Sequence, residues 1–298
     1  MNKLGVAYAT LAMIIVGSSV AAASVIVDYP IMGGQAVRYA VASLVLFIWA
    51  RVVAKPIPRP SPGDLGWLGA VALTGMVAFN VLLIAATARA DPSLVGAIVG
   101  TAPVALAILG ALQDRRSPSV GLVFAAVVVA LGAAVVQQAR LVGDTVGVLL
   151  AVGAMFGEVG FSLFAVPVLR RIGPLSVSAH GTWLAAAMLA AGALVVEGSD
   201  AVRAPTFAEA AALAYLALVV TAAAFVIWYS AVDRLGVDTA GLFAGLIPVS
   251  ALATSALIGT DRMTLIKLVG ALIVGAGVVI GIGTSRGRYS STRRAQIN

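Results

Sequence analysis

Ten runs of mostly apolar residues, each about twenty residues long, follow one another along this chain. They cover approximately residues 4–26, 32–53, 65–87, 92–113, 118–138, 145–167, 174–196, 207–231, 237–258 and 264–285. A helix of about 20 apolar residues is long enough to cross the hydrocarbon core of a bilayer. Turn and helix-breaking residues separate the runs, as at Asp91-Pro92 and Gly173-Pro174. The pattern predicts an all-helical membrane protein with ten transmembrane helices.

Composition places the chain in the same class. Hydrophobic residues make up 61% of it even without its 32 glycines, whereas soluble domains reach about 45–50% with glycine counted. The longest loop, about residues 55–64, is too short for a water-soluble domain. Basic residues form short pairs beside the apolar runs instead of a continuous face, which argues against a nucleic-acid partner. We expect the lipid bilayer and a small molecule to be its partners, with no obligate protein partner.

The basic residues also predict an orientation. If the N-terminus is cytoplasmic, thirteen Lys and Arg residues fall on the inner side: Lys3, Arg51, Lys55, Arg59, Arg115, Arg116, Arg170, Arg171, Arg234, Arg286, Arg288, Arg293 and Arg294. Five fall on the outer side: Arg89, Arg140, Arg203, Arg262 and Lys267. The positive-inside rule therefore predicts that both termini are cytoplasmic. The excess of Arg over Lys, with many Ala, Val and Gly residues, is typical of a GC-rich bacterial genome, which predicts the bacterial cytoplasmic (inner) membrane as the location.

The second half of the chain repeats the first. At an offset of 145 residues, the matched pairs are Arg89 and Arg234, Gly96 and Gly241, Gly100 and Gly245, and Pro103 and Pro248. We therefore predict a first five-helix repeat at residues 1–142, a second at 143–286 and a basic cytoplasmic tail at 287–298. Because each repeat has an odd number of spans, the second must enter the membrane from the opposite side. Such inverted repeats are typical of carriers with a central site and alternating access.

The repeated glycines and prolines predict an irregular helix in each half. In the fourth segment Gly96 and Gly100 precede Pro103, and in the ninth Gly241 and Gly245 precede Pro248. Small residues four apart let helices approach closely, and a proline removes a backbone hydrogen bond and kinks the helix. The positions could be packing grooves only. Because the combination occurs twice at equivalent places, we favour a hinge beside the binding site.

These features resemble the EamA type of the drug/metabolite transporter superfamily. The resemblance covers nearly the whole chain and rests on a Pro-containing helix, an acidic-Arg turn and a Gly-rich helix in each half: Pro103, Asp114-Arg115 and Gly121 to Gly132, then Pro248, Asp261-Arg262 and Gly270 to Gly281. Arg38-Tyr39 matches an Arg-aromatic pair of the family, although its turn acid is usually Glu. The resemblance implies helices one, three, four, six, eight and nine around a central cavity. It also implies export of amino acids or related metabolites.

Glu158 is the most informative polar residue within the spans. A charged carboxylate in the middle of a membrane costs about 2.5–3.5 kcal/mol, so its presence usually indicates function. Ser162 lies one helical turn further on the same side. We interpret Glu158 as a ligand for a substrate amine or as a proton-exchange site. The alternative is a protonated carboxyl that hydrogen-bonds a neighbouring helix.

Arg38 and His180 occupy equivalent positions of the two repeats, 142 residues apart. Arg38 could bind a carboxylate in bidentate fashion, but we favour a structural role because a long basic side chain can reach the membrane interface. His180 is the only histidine, and its place near the cytoplasmic end of its segment favours packing over proton transfer.

Further polar and aromatic residues are candidate substrate contacts. Asn80 can offer both donors and acceptors, or can serve only to bond two helices. Phe225 and Trp228 share a side of the eighth segment with Thr221, and form either an aromatic wall for substrate or part of the interfacial belt. Ser18 in the first segment and Thr101 in the fourth are weaker candidates.

The sequence favours a carrier over three other classes. A membrane enzyme would need paired acids, a Ser-His arrangement or a metal-ligand set, and one deep acid with one distant histidine supplies none. We therefore predict no catalysis, no metal and no cofactor. A channel is disfavoured because no ring of charges recurs. An exporter or flippase for lipid-linked or xenobiotic substrates on the same helices remains the alternative to a metabolite exporter.

Overall fold

The computed structural model describes residues 2–55 and 57–295, with side chains described as far as Thr284. Within this part of the chain, ten helices are long and apolar enough to cross a membrane, and there is no β-strand. We label them α1 to α10: Lys3–Ile26, Ile31–Val52, Pro62–Thr87, Pro92–Gln113, Val120–Gln137, Thr145–Leu163, Val166–Val196, Phe207–Leu235, Val237–Leu257 and Leu265–Thr284. The predicted class and helix number are confirmed.

Two helix boundaries differ from the prediction. Helix α6 ends at Leu163, and α7 already begins at Val166. Within α7 the backbone leaves helical geometry at Gly173, whose φ of 77° favours glycine, immediately before Pro174. The predicted break is therefore present, but a short helical stretch precedes it. At the other end of the chain, the helix of α10 continues to Ala295. The predicted basic tail, residues 287–298, lies outside the residues whose side chains are described.

Helices α3 and α8 start and bend in the same way. Each begins with a capping box, in which a hydroxyl and an acid three residues later satisfy each other's backbone N–H groups: Ser61 with Asp64, and Thr206 with Glu209. Each then contains a π-helical segment, Ala72–Ala78 in α3 and Leu216–Ala223 in α8. Such widened turns occur often at functional sites. The two halves thus share fine structure as well as helix order.

The helices pack as two related sets. Helix α5 packs along α10, and α2 packs along α7. Helix α1 contacts α8 and α9, whereas its counterpart α6 contacts α3 and α4. The contacts of α6 thus repeat those of α1, so the bundle has an approximate internal two-fold relationship. We call the side on which α1 begins the N-terminal face, and the other side the opposite face.

Helices α4 and α9 are interrupted at equivalent places. In α4 the helix stops after Val99 and restarts at Ala102, which puts Pro103 in the first turn of the new segment. In α9 a 3-10 segment, Gly241–Gly245, precedes the helix that contains Pro248. A proline lacks an N–H and fits best in a first helical turn, which explains why the break lies just before each proline.

The contact between α5 and α10 is close enough to exclude side chains. A Cβ on Gly132 would lie 2.7 Å from the backbone nitrogen of Val274 and 2.9 Å from the carbonyl oxygen of Gly270. A Cβ added to Gly275 of α10, in contrast, would meet no neighbouring atom within 4 Å. We expect Gly132→Val to destabilise the protein by about 1–3 kcal/mol, because overpacking forces the two backbones apart. Gly275→Val is the control and should leave the thermal unfolding temperature in detergent nearly unchanged. Equal unfolding temperatures for both variants would contradict the packing argument.

Candidate substrate site in the bundle interior

The side chain of Glu158 points into the bundle and is nevertheless partly accessible. Leu149, nine residues earlier in α6, is 64% exposed and lies about 180° around the helix from Glu158. Glu158 therefore points away from the outer surface, but it is only half-buried. The accessible part of its side chain therefore lies on the inward side of α6. Among the described residues, no side chain forms a hydrogen bond or ion pair with its carboxylate.

Aromatic rings lie next to this carboxylate. Phe161 follows Glu158 by three residues in the same helix, so the two side chains are neighbours. The ring centroid of Phe161 is 4.9 Å from that of Phe225 and 5.1 Å from that of Tyr229, both in α8. Phe225 in turn lies 6.5 Å from Tyr39 of α2. We call these four residues the aromatic cluster. It gives the interior a surface that suits the apolar part of a solute.

Two hydrogen bonds join α6 to α8 between Glu158 and the N-terminal face of the bundle. The indole Nε1 of Trp228 donates to Ser162 Oγ over 3.3 Å, and the hydroxyl of Tyr229 donates to the carbonyl oxygen of Phe161 over 3.2 Å. Trp228 is only 5% exposed, so it belongs to the interior and not to the interfacial belt. The two bonds bring these helices together one turn beyond Glu158.

Arg38 connects α2 to the π-helical segment of α8. Its Nε donates to Thr221 Oγ1 over 2.7 Å, its Nη1 donates to Gln35 Oε1 over 3.2 Å, and its guanidinium lies 5.3 Å from the Tyr39 ring. No carboxylate pairs with it in the described part of the chain. Since a guanidinium has five N–H donors, it can bind a further acceptor while it keeps both bonds. The geometry is therefore compatible with the structural and the ligand interpretation.

Asn80 adjoins the aromatic cluster from α3. Its Nδ2 donates to the hydroxyl of Tyr39 over 3.3 Å and to the carbonyl oxygen of Met76 over 2.6 Å. Met76 lies in the π-helical segment of α3, so Asn80 also closes that widened turn. The residue bonds two helices, as the structural alternative requires, and it borders the interior as well.

Three sequence candidates lie apart from this cluster. Ser18 is 2.6 Å from the hydroxyl of Tyr215 and also donates to a carbonyl of its own helix, so it joins α1 to α8 elsewhere. Thr101 is exposed at the interruption of α4, where it donates to the Ile98 carbonyl. His180 is buried near the N-terminal face, with its Nε2 3.2 Å from the Pro58 carbonyl oxygen.

The glycines of the predicted hinges are positions of close helix approach. A Cβ on Gly241 would lie 2.7 Å from the Cβ of Leu106, and one on Gly100 would lie 3.3 Å from the Cβ of Ala133. Added Cβ atoms on Gly96 and Gly245 would overlap Gln137 and Val129. All four glycines therefore allow neighbouring helices to pack beside the interruptions of α4 and α9.

The helices around the interior are more deeply buried near the N-terminal face than near the opposite face. In α9 every residue from Val237 to Gly245 is buried, whereas among the equivalent residues 92–100 of α4 only Val95 is buried. Along the inward side of α1, Ala9 and Ala12 are fully buried, but Val20 near the other end is 45% exposed. Equivalent elements of the two repeats thus have different accessibility.

Comparisons with known proteins agree with this architecture. The chain matches the EamA-like transporter family over residues 3–137 and 145–282. It is 25% identical to a protein of Bacillus subtilis (strain 168) named "Uncharacterized transporter YetK". The match extends over 285 residues and covers 93% of this chain and 86% of that protein. The fold is similar to that of a protein of known crystal structure, with a TM-score of 0.82 and 17% identity, over 96% of this chain and 99% of the other.

The difference between α4 and α9 can be tested with cysteines, because the chain contains none of its own. Ala97 of α4 is half-buried, and its repeat equivalent, Leu242 of α9, is fully buried. We expect a membrane-impermeant maleimide to label Ala97→Cys much faster than Leu242→Cys in sealed vesicles. Labelling of Ala97→Cys should also require that the reagent reach the opposite face. Right-side-out and inside-out vesicles, compared separately, will show from which face the reagent enters. Equal labelling of the two variants would show that the interior is not open on one side only.

Proposed function

Because the chain belongs to the EamA-like transporter family, and is therefore a multi-pass membrane transporter of the drug/metabolite type, we propose that it is a secondary carrier that moves a small metabolite by alternating access. The observation that carries the proposal is the half-buried carboxylate of Glu158, which lies on the inward side of α6 and has no partner among the described residues. A charge held there in the folded protein, with no partner of its own, suits a ligand of opposite charge.

The proposed substrate is an amino acid or a related metabolite. Glu158 would bind its ammonium group, while Phe161 and Phe225 pack against its apolar part. Arg38 carries the opposite charge and also lacks an ionic partner in the described residues. A solute with an ammonium and a carboxylate would compensate both charges. Ser162 and Trp228 hydrogen-bond each other beside the site, and would separate to let a solute pass.

The interruptions of α4 and α9 would serve as the hinges of this transport cycle. In the structure the first part of α9, residues 237–245, is buried, whereas the equivalent part of α4, residues 92–100, is mostly half-buried. Exchange of these two conformations between the repeats would close the opposite face and open the N-terminal face, as inverted repeats permit. The regular helical segments that follow the breaks, Ala102–Gln113 and Leu246–Leu257, would then move as units.

The proposed location is the bacterial cytoplasmic membrane, with both termini in the cytoplasm, and the proposed direction is export. The distribution of Lys and Arg supports this orientation. We propose that the carrier acts without a cofactor, a catalytic step or an obligate protein partner, since the interior groups suit binding and not bond making.

Counterflow in proteoliposomes tests the proposal. Wild-type protein should exchange at least one class within a panel of labelled amino acids. Glu158→Gln should reduce exchange by about tenfold or more, since a hydrogen bond to a charged group contributes about 1.5–3 kcal/mol. Asp261→Asn, an acid-to-amide change in an exposed loop, is the matched control and should exchange normally.

Either of two results would contradict the proposal. Normal exchange by Glu158→Gln would remove this residue from the substrate site. No exchange of any amino acid by correctly folded wild-type protein would exclude this substrate class and favour lipid-linked or xenobiotic substrates.

A further inference from the structure

A cavity opens at the N-terminal face, and none of the residues of the interior site lines it. It has a volume of about 370 Å³ and lies where the end of α4, the start of α7 and the junction of α8 and α9 meet. This size falls within the range of small-molecule sites, about 300–1,000 Å³. Six charged residues line it: Asp114, Asp233, Asp238, Arg116, Arg170 and Arg234.

The charges of this lining balance one another. The three acids and three bases have no net charge, and several are paired: Arg116 with Asp114 at 2.9 Å, Arg116 with Asp238 at 3.3 Å and Arg170 with Asp114 at 3.4 Å. A solute that carried only one charge would leave one set of these groups without a counterpart. A solute with both an ammonium and a carboxylate complements the whole lining.

The pair of Arg116 and Asp238 joins the two repeats. Arg116 follows α4 of the first repeat, and Asp238 lies in the first turn of α9 of the second. The helices meet here, since a Cβ on Gly110 would lie 3.2 Å from the backbone nitrogen of Asp238. The Arg116 side chain is 41% exposed, so a solute in the cavity can reach it. The Asp238 side chain is only 5% exposed, so a solute that displaces Arg116 must supply a cation in its place, because a buried carboxylate needs a compensating charge.

The cavity lies between the interior site and the N-terminal face. Val232 and Val166, both in its lining, follow Trp228 and Ser162 by four residues each. One helical turn in α8 therefore separates the cavity from the hydrogen bond that joins α6 and α8. A solute held in the cavity would therefore lie close to the site at Glu158, on the other side of this hydrogen bond.

The ion pair has no equivalent at the opposite face. The residue related to Asp238 by the repeat is Ser93, and the matched turns Asp114-Arg115 and Asp261-Arg262 relate Arg116 to Met263. Ser93 donates to Asp91, and Met263 carries no charge. The halves of the chain therefore differ at this position, and only the N-terminal face carries an ionic contact between repeats at this pair of positions.

From these observations we infer that the cavity captures a zwitterionic solute, whose carboxylate and ammonium replace the Arg116–Asp238 pair and thereby release α9 from α4. The inference rests on the proposed function, because it makes the cavity the entrance to the same pathway. Capture at this face would couple solute binding to opening of the N-terminal side.

Labelling of a single cysteine tests this inference. Ala244→Cys places the only thiol of the chain in the buried 3-10 segment of α9. In lipid nanodiscs, its reaction rate with a maleimide is measured with each of the twenty amino acids. It is measured as well with the single-charge analogues of leucine, 3-methylbutylamine and 4-methylpentanoate, and with those of phenylalanine, phenethylamine and 3-phenylpropanoate. We expect at least one amino acid, and none of the single-charge analogues, to raise the rate severalfold.

A second substitution makes the result independent of the choice of solute. Arg116→Gln in the same background should raise the rate without any solute and remove the response to solutes. Arg115→Gln, a change at the adjacent residue outside the cavity lining, should do neither. The inference is wrong if Arg116→Gln behaves like Arg115→Gln, or if no amino acid changes the rate. In the latter case counterflow distinguishes the inference about the cavity from the proposed function. Exchange of an amino acid would leave the proposed function intact, and no exchange would contradict both.

Discussion

The hydrogen-bonding requirement of a backbone in lipid governs this structure. Hydrocarbon offers no partner for an N–H or C=O group, so a spanning chain must satisfy these groups within its own helices, or bury the exceptions in protein. Besides the break of α7 at Gly173, the exceptions here are two π-helical segments, Ala72–Ala78 and Leu216–Ala223, and the interruptions of α4 and α9. They occur in four helices that the resemblance places around the cavity, whereas α2 and α5 are continuous.

These irregular segments connect the scaffold to the candidate site. Arg38 reaches from the regular helix α2 to Thr221 in the widened turn of α8. Phe225 and Trp228 lie one and two turns further along the same helix. The position of the aromatic cluster therefore depends on the geometry of this widened turn. The hydrogen bond of Arg38 to Thr221 can influence the cluster through the turn, without contact with the substrate. Asn80 has the related position at the widened turn of α3.

A symmetrical fold here contains an asymmetric set of side chains. The repeats share helix order, capping boxes and interruptions, but His180 stands where the first repeat has Arg38, and Val16 stands where the second has Glu158. The accessibility of α4 and α9 differs as well. In the proposed transport cycle, duplicated packing supplies two interchangeable conformations, while the unmatched polar residues make the two halves of the interior chemically distinct.

The sequence by itself determined the number of helices, the repeat and the interruptions at Pro103 and Pro248, because each depends on local residue type and spacing. The capping boxes at Ser61 and Thr206 were readable in the same way and were missed. Only the tertiary structure decided that Glu158 meets an aromatic cluster, that Trp228 is buried and that Ser18 and Thr101 lie apart. Lipid and protein interior are both apolar, so hydrophobic periodicity does not mark which side of a membrane helix faces inward. Contacts such as Trp228 with Ser162, 66 residues apart, arise only when the helices have packed.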